Sequence, residues 1–276
     1  MATLLVHLAM LCYTGAAAAY LAWLLRPRDR LVSAGRVLLA VGLGFHLVAF
    51  PLLRLTEATN VWNAGHLFSL IAAATVAAYL VIDWKYRVPV AGAFAAPLTV
   101  AAMVPAHLVT LRARVLPGGL EHLVMLPVHV GSAIFGSVAL GLAFVLALVF
   151  LSSERRIKQK QAGWLLKRLP SLELVERLGW QLSVWGFIFL SLTLITGSFV
   201  SRAVSGSLLP FAPKQAFAVL AWALLAVLIQ ARLVAGWRGR RLAMLVVVGF
   251  VFLVGTYVAL LSQTPPVAVT ALGSLP

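Results

Sequence analysis

Residues 126–158 read LPVHVGSAIFGSVALGLAFVLALVFLSSERRIK, and from Val130 to Leu151 no residue carries a charge. A helix rises about 1.5 Å per residue, so some twenty such residues cross the ~30 Å of hydrocarbon in a bilayer. The apolar run is continuous and does not alternate, which fits a spanning helix and not a barrel strand. A histidine, His129, stands at its mouth, and Arg155, Arg156 and Lys158 close its other end.

The same pattern recurs on both sides of this segment. Apolar runs cover about 3–25, 37–56, 62–82, 89–111, 125–152, 179–201, 213–233 and 242–262. With 62% apolar and 11% charged residues and a mean hydropathy of +1.02, the chain cannot be wrapped in a water-soluble surface. The expected fold is all-α, a polytopic membrane bundle of about eight transmembrane helices. Few residues remain for loops, so 1–276 reads as a single integral membrane domain. No internal repeat is visible.

Basic residues orient the bundle, because cytoplasmic loops of membrane proteins hold an excess of Lys and Arg. Of the 22 Lys and Arg, only Arg54, Arg112, Arg114, Arg202 and Lys214 fall at one end of the spans; the rest collect at the other. Both termini are therefore expected outside the cytoplasm. The net charge of +15 is a topology signal and calls for no nucleic-acid partner. The N-terminus has no basic leader before its apolar run, so the first helix is expected to be retained. Cys12 stands alone, which excludes an intrachain disulfide, and the absence of a C-x-x-C-H motif excludes covalent haem attachment to the chain itself. Between spans five and six, SLELVERLGW follows Pro170 and reads as a serine-capped amphipathic helix, lying on the membrane surface or running into the sixth span. Its plainer reading is a solvated connector.

All six histidines, His7, His46, His66, His107, His122 and His129, fall in the half of the bundle away from the basic loops. Any one of them could be a neutral imidazole bonded to a neighbouring helix. Gathered at one end, they point to a ligand or proton pathway, since ionisable groups in a bilayer are costly. Only Glu57 and Glu121 lie on that side, which argues against a carboxylate-rich metal site. Zinc would need three or four ligands close together, whereas haem needs one or two axial ligands, an apolar slot and cations for its propionates. Phe45, Phe50, Trp62, Phe68 and Phe135 neighbour the histidines in sequence, although aromatic residues at helix ends are more often packing or interface belts. Arg54, Arg112 and Arg114 are candidate propionate partners. Lys214 is most simply a snorkelling interfacial cation, with a propionate contact as the sharper alternative. Arg238, Arg240 and Arg241 fix orientation and suit anionic headgroups.

Four stretches carry a resemblance: the opening segment, LPSLELVERLGWQLSVWGFIFLSLTLITGSF from Leu169, GWRGRRLAML from Gly236, and FHLVAFPLLRLTEATNVWNAGHLFSLIAA from Phe45. Together they resemble the cytochrome c assembly protein family (CcsA/CcmC type), in particular its small HemX- and YpjD-like branch, from about Val41 to Leu261. The resemblance implies a bacterial inner-membrane protein that holds or passes noncovalent haem b at the extracytoplasmic side during cytochrome c maturation. It implies His129 and His46 as haem-iron ligands, with His66, Arg54 and Lys214 as further haem-binding candidates. Gly131, Ser132 and Gly136 would let a neighbouring helix or the porphyrin come close. The implied partners are haem, an apocytochrome or other assembly proteins, and the lipid bilayer.

Two departures stand beside it. Larger members carry a tryptophan-rich loop near W-G-x-x-W-x-W-D-P-K, of which SGSLLPFAPKQAF keeps only Pro213 and Lys214. Their last-helix histidine has no counterpart in GTYVALLSQTPP. The alternative is thus a non-catalytic regulatory or interaction subunit acting on a haem-synthesis or cytochrome-assembly partner. No nucleophile, base and orienting group recur together, so independent covalent catalysis is not expected. A transporter ranks last for want of intramembrane acids and broken helices.

Overall fold

The computed structural model describes residues 2–56, 64–110, 125–159, 170–207 and 212–262, apart from the side chains at 53–56, 64, 107–110 and 204–205. Arg54 and His107 therefore contribute backbone only. Trp62, Arg112, Arg114, Glu57, Glu121 and His122 lie outside the described residues. Among the described residues eight helices are long and apolar enough to cross a membrane: α1 (Ala2–Leu25), α2 (Asp29–Thr56), α3 (Ala64–Tyr86), α4 (Pro89–Thr110), α5 (Met125–Lys158), α6 (Leu172–Ser205), α7 (Pro213–Leu233) and α8 (Arg240–Ser262). No strand occurs among the described residues.

The helices form two groups. The first packs α1 on α2 and α4, and α3 on α4. The second packs α5 on α6 and α8, and α7 on α8. They meet where α5 packs on α3 and α4. That placement explains the sequence of α5, which is apolar around its whole circumference: almost every residue from Gly136 to Phe150 is buried. Phe144 stacks on Phe250 of α8 at 4.3 Å between ring centroids.

In the first group, α1 buries one stripe containing Tyr13, Tyr20 and Trp23. Small residues make room for it, as in other membrane bundles, where close backbone approach replaces the hydrophobic drive. A Cβ at Gly35 would come within 2.7 Å of the Tyr20 ring, and one at Gly42 within 2.7 Å of the Tyr13 ring. These glycines are seven residues apart, so both lie on the α2 face toward α1.

Two helices begin earlier than their apolar runs. α2 starts at Asp29, because Arg36 is not a loop cation: its Nε donates to Asp83 Oδ2 of α3 at 2.6 Å, and Asp83 is buried. Helix α3 thus holds a buried acid near its basic end, which the predicted third span stopped just short of. α6 starts at Leu172 and runs unbroken to Ser205, so SLELVERLGW continues into the sixth span and does not lie apart on the surface. Ser171 caps it, accepting from the Leu174 N–H at 3.2 Å. α5 and α6, 34 residues each, extend about 50 Å and overhang the ~30 Å hydrocarbon layer.

Candidate functional site

His129 sits in the first turns of α5, half-buried against α6. Its Nδ1 lies 3.0 Å from the carbonyl oxygen of Thr193 and 3.4 Å from Thr196 Oγ1. A carbonyl only accepts, so Nδ1 carries the hydrogen and donates it, and the lone pair of the neutral ring is on Nε2. No described residue bonds that Nε2. The ring lies flat enough on α6 that a Cβ at Gly197 would stand 2.9 Å from its Cε1. Ser132 locks the same turn, its hydroxyl donating to the His129 carbonyl at 3.0 Å and meeting the Thr193 hydroxyl at 3.0 Å. An imidazole oriented through one nitrogen by a backbone carbonyl, with the other free, is the arrangement that metal-ligating histidines adopt.

Lys214 belongs with it. It occupies the first turn of α7, close enough to His129 for their charges to interact. α7 opens with Pro213, has no side-chain cap bond and no acid in its first turn, so helix dipole and ammonium add up to a positive end. The Gln215 side-chain oxygen beside it is buried and without a hydrogen-bond partner.

His46 is placed differently. It is buried between α1, α2 and α3, with Nδ1 3.3 Å from Tyr13 Oη and Nε2 2.5 Å from Ser69 Oγ. Both hydroxyls can donate or accept, so either tautomer has both nitrogens satisfied. His66, also buried, lies three residues before Ser69 and therefore on the same face of α3. His46 is thus held among α1, α2 and α3, and His129 against α6. Ser137 of α5 bonds Tyr257 of α8 at 2.5 Å, and the Tyr257 ring lies 5.2 Å from Phe68 of α3. His129 is eight residues beyond Ser137, or ~12 Å further out along α5. Two ligands of one iron, each about 2 Å from it, need nitrogens only ~4 Å apart.

The remaining candidates sort by packing. Gly136 lets α6 approach, since a Cβ there would meet the Leu190 backbone nitrogen at 3.3 Å, whereas a Cβ at Gly131 would meet nothing within 4 Å. The neighbouring aromatics do not converge into one slot: Phe68 turns to α8 and Phe135 stacks on Phe189 of α6. Among the described residues no three His, Cys, Asp or Glu side chains gather closely enough to hold a metal ion. Thr193, Thr196 and Gly197 were missed as site residues. Their signal is a small, polar i, i+3, i+4 set in an otherwise bulky apolar helix, LSLTLITGSF.

Fold and site together define a multi-pass helical membrane protein with one histidine held against α6 and another closed off among α1, α2 and α3. The chain belongs to the cytochrome c assembly family: the family model described as Cytochrome C assembly protein matches residues 61–263. It is also similar to the cytochrome c biogenesis protein CcsA of Gloeobacter violaceus, 33% identical over 96 residues, which are 35% of this chain and 28% of that protein. The CcsA protein of Cyanophora paradoxa is 32% identical over 89 residues, 31% of this chain and 28% of its own length. The chain thus matches less than a third of the length of these relatives.

Proposed function

We propose that the protein takes part in cytochrome c biogenesis by holding haem at the histidine end of the bundle, with His129 Nε2 as the axial ligand. The observation that carries this reading is the hydrogen bond from His129 Nδ1 to the Thr193 carbonyl, which leaves Nε2 as the basic nitrogen. Haem is the cargo in this reading, and its propionates meet Lys214 and the positive end of α7. The names of the CcsA relatives support the pathway, the resemblance suggests a bacterial inner membrane, and the charge asymmetry supports the histidine end and both termini lying on the extracytoplasmic side. His46 is closed off on the same side, where it becomes available to iron only after releasing Ser69 or Tyr13. An apocytochrome or another assembly protein is the partner that would approach the histidine end.

The test is the absorption spectrum of the protein purified in mild detergent, oxidised and then dithionite-reduced. Wild type is expected to show a Soret band and sharp reduced bands. His129→Ala loses them, and millimolar imidazole restores them by filling the vacated position. His46→Ala keeps most of the bound haem. A protein that stays colourless with added haemin would overturn the proposal. It would favour the regulatory-subunit reading, which the fully bonded state of His46 supports.

A further inference from the structure

A lateral groove runs between α3 and α6 at the basic end, where the two helix groups face each other without packing closely. It encloses about 490 Å³ and is lined by Ile82 and Tyr86 of α3 and by Leu178, Gln181, Trp185 and Ile188 of α6, among others. That volume is within the ~300–1,000 Å³ of small-molecule sites. The walls are apolar and aromatic, and the groove opens toward the membrane, with Trp185 and Ile188 about half exposed. From Leu178 to Ile188 it follows α6 for ~15 Å, an elongated shape.

Its mouth is positively charged. The Lys85 ammonium stands 5.4 Å from the centroid of the Tyr86 ring, which lines the groove. Arg177 is exposed and precedes Gln181 by one turn, on the stripe that continues through Trp185 and Ile188. Neither cation pairs with a described carboxylate. Of the nearby acids, Asp83 is engaged by Arg36 and Glu176 by Arg232, while Glu173, one turn before Arg177, is exposed and makes no ion pair with it. Two exposed cations without an ion-pair partner among the described residues, above an elongated apolar channel open sideways to lipid, fit one kind of ligand. We propose that this groove binds an anionic phospholipid of the leaflet at the basic end, its phosphate between Lys85 and Arg177 and an acyl chain along α6. The lipid fills the seam between the two helix groups and joins them. Nothing in this inference depends on haem.

Native mass spectrometry of the delipidated full-length protein tests it, with phosphatidylglycerol and phosphatidylcholine of matched acyl chains as probes. One phosphatidylglycerol is expected to be retained at roughly tenfold lower lipid concentration than phosphatidylcholine, as two interfacial cations would give. K85Q/R177Q abolishes that preference while melting like wild type without lipid. Gln181→Trp, which fills the channel and keeps both charges, lowers retention of both lipids. Equal retention of the two lipids by wild type, or a preference that survives K85Q/R177Q, would overturn the proposal. Haemin displacing phosphatidylglycerol one for one would also overturn it, assigning the groove to a porphyrin dicarboxylate.

Discussion

His129 is held through one nitrogen and open at the other, and the residue that decides this is a glycine. Gly197 has no side chain where one would strike the imidazole, 2.9 Å from Cε1. Gly197→Ala is therefore expected to rotate the ring off the Thr193 carbonyl and weaken haem retention about tenfold, a loss of ~1.4 kcal/mol. α6 itself is strengthened slightly, since alanine is the better helix former. Haem-to-protein ratio after purification and the melting temperature read the two effects separately, and a joint fall of both would mark a folding defect instead. The sequence displays His129 as a candidate because an imidazole at the mouth of an apolar run is conspicuous. It does not display the acceptor, since a backbone carbonyl belongs to every residue and only packing selects that of Thr193.

At the scale of the element, α6 shows how a local signal resolves an ambiguous segment. Ser171 and the apolar positions of SLELVERLGW specify a capped helix start, and the continuous register into the sixth span makes it the inner end of a transmembrane helix. Ser171→Ala is expected to cost about 1 kcal/mol. Amide exchange at Leu172–Val175 should rise while the exchange of Ser183–Leu190 stays unchanged. An unaltered exchange profile would mean that neighbouring packing, not the cap, holds this end. Arg36 was legible only as a charge near a helix start. Its role in α2 follows from Asp83, 47 residues away, and no local pattern encodes that distance.

At the scale of the whole molecule, the Arg36–Asp83 pair ties α2 to α3 inside an apolar bundle. Removing one partner of such a pair strands the other, whereas replacing both with apolar side chains is often neutral. Arg36 is one-third exposed and reaches toward the interface, so the penalty is below that of a fully buried pair. Asp83→Leu alone is expected to lower stability by about 2 kcal/mol, and R36M/D83L to recover most of it. Thermal unfolding in detergent closes the cycle; additive effects of the two substitutions would show that the pair is not coupled. The same scale separates the histidines. His129 is held against α6 with one ring nitrogen open, while His46 is closed off by Tyr13 and Ser69 between three helices.

By itself the sequence determined the membrane class, the eight helices, the end at which the histidines collect and the cap of α6. Each of these follows from hydrophobic period, charge distribution or a local hydrogen bond, all of which act within a few turns of chain. Only the tertiary structure decided that α5 is the buried centre, that Thr193 and Gly197 back His129, that His46 is closed off by Tyr13 and Ser69, and that a groove opens between α3 and α6. These depend on how far each helix slides and rotates against its neighbours. That is set by close packing between residues distant in the chain, which no single segment records.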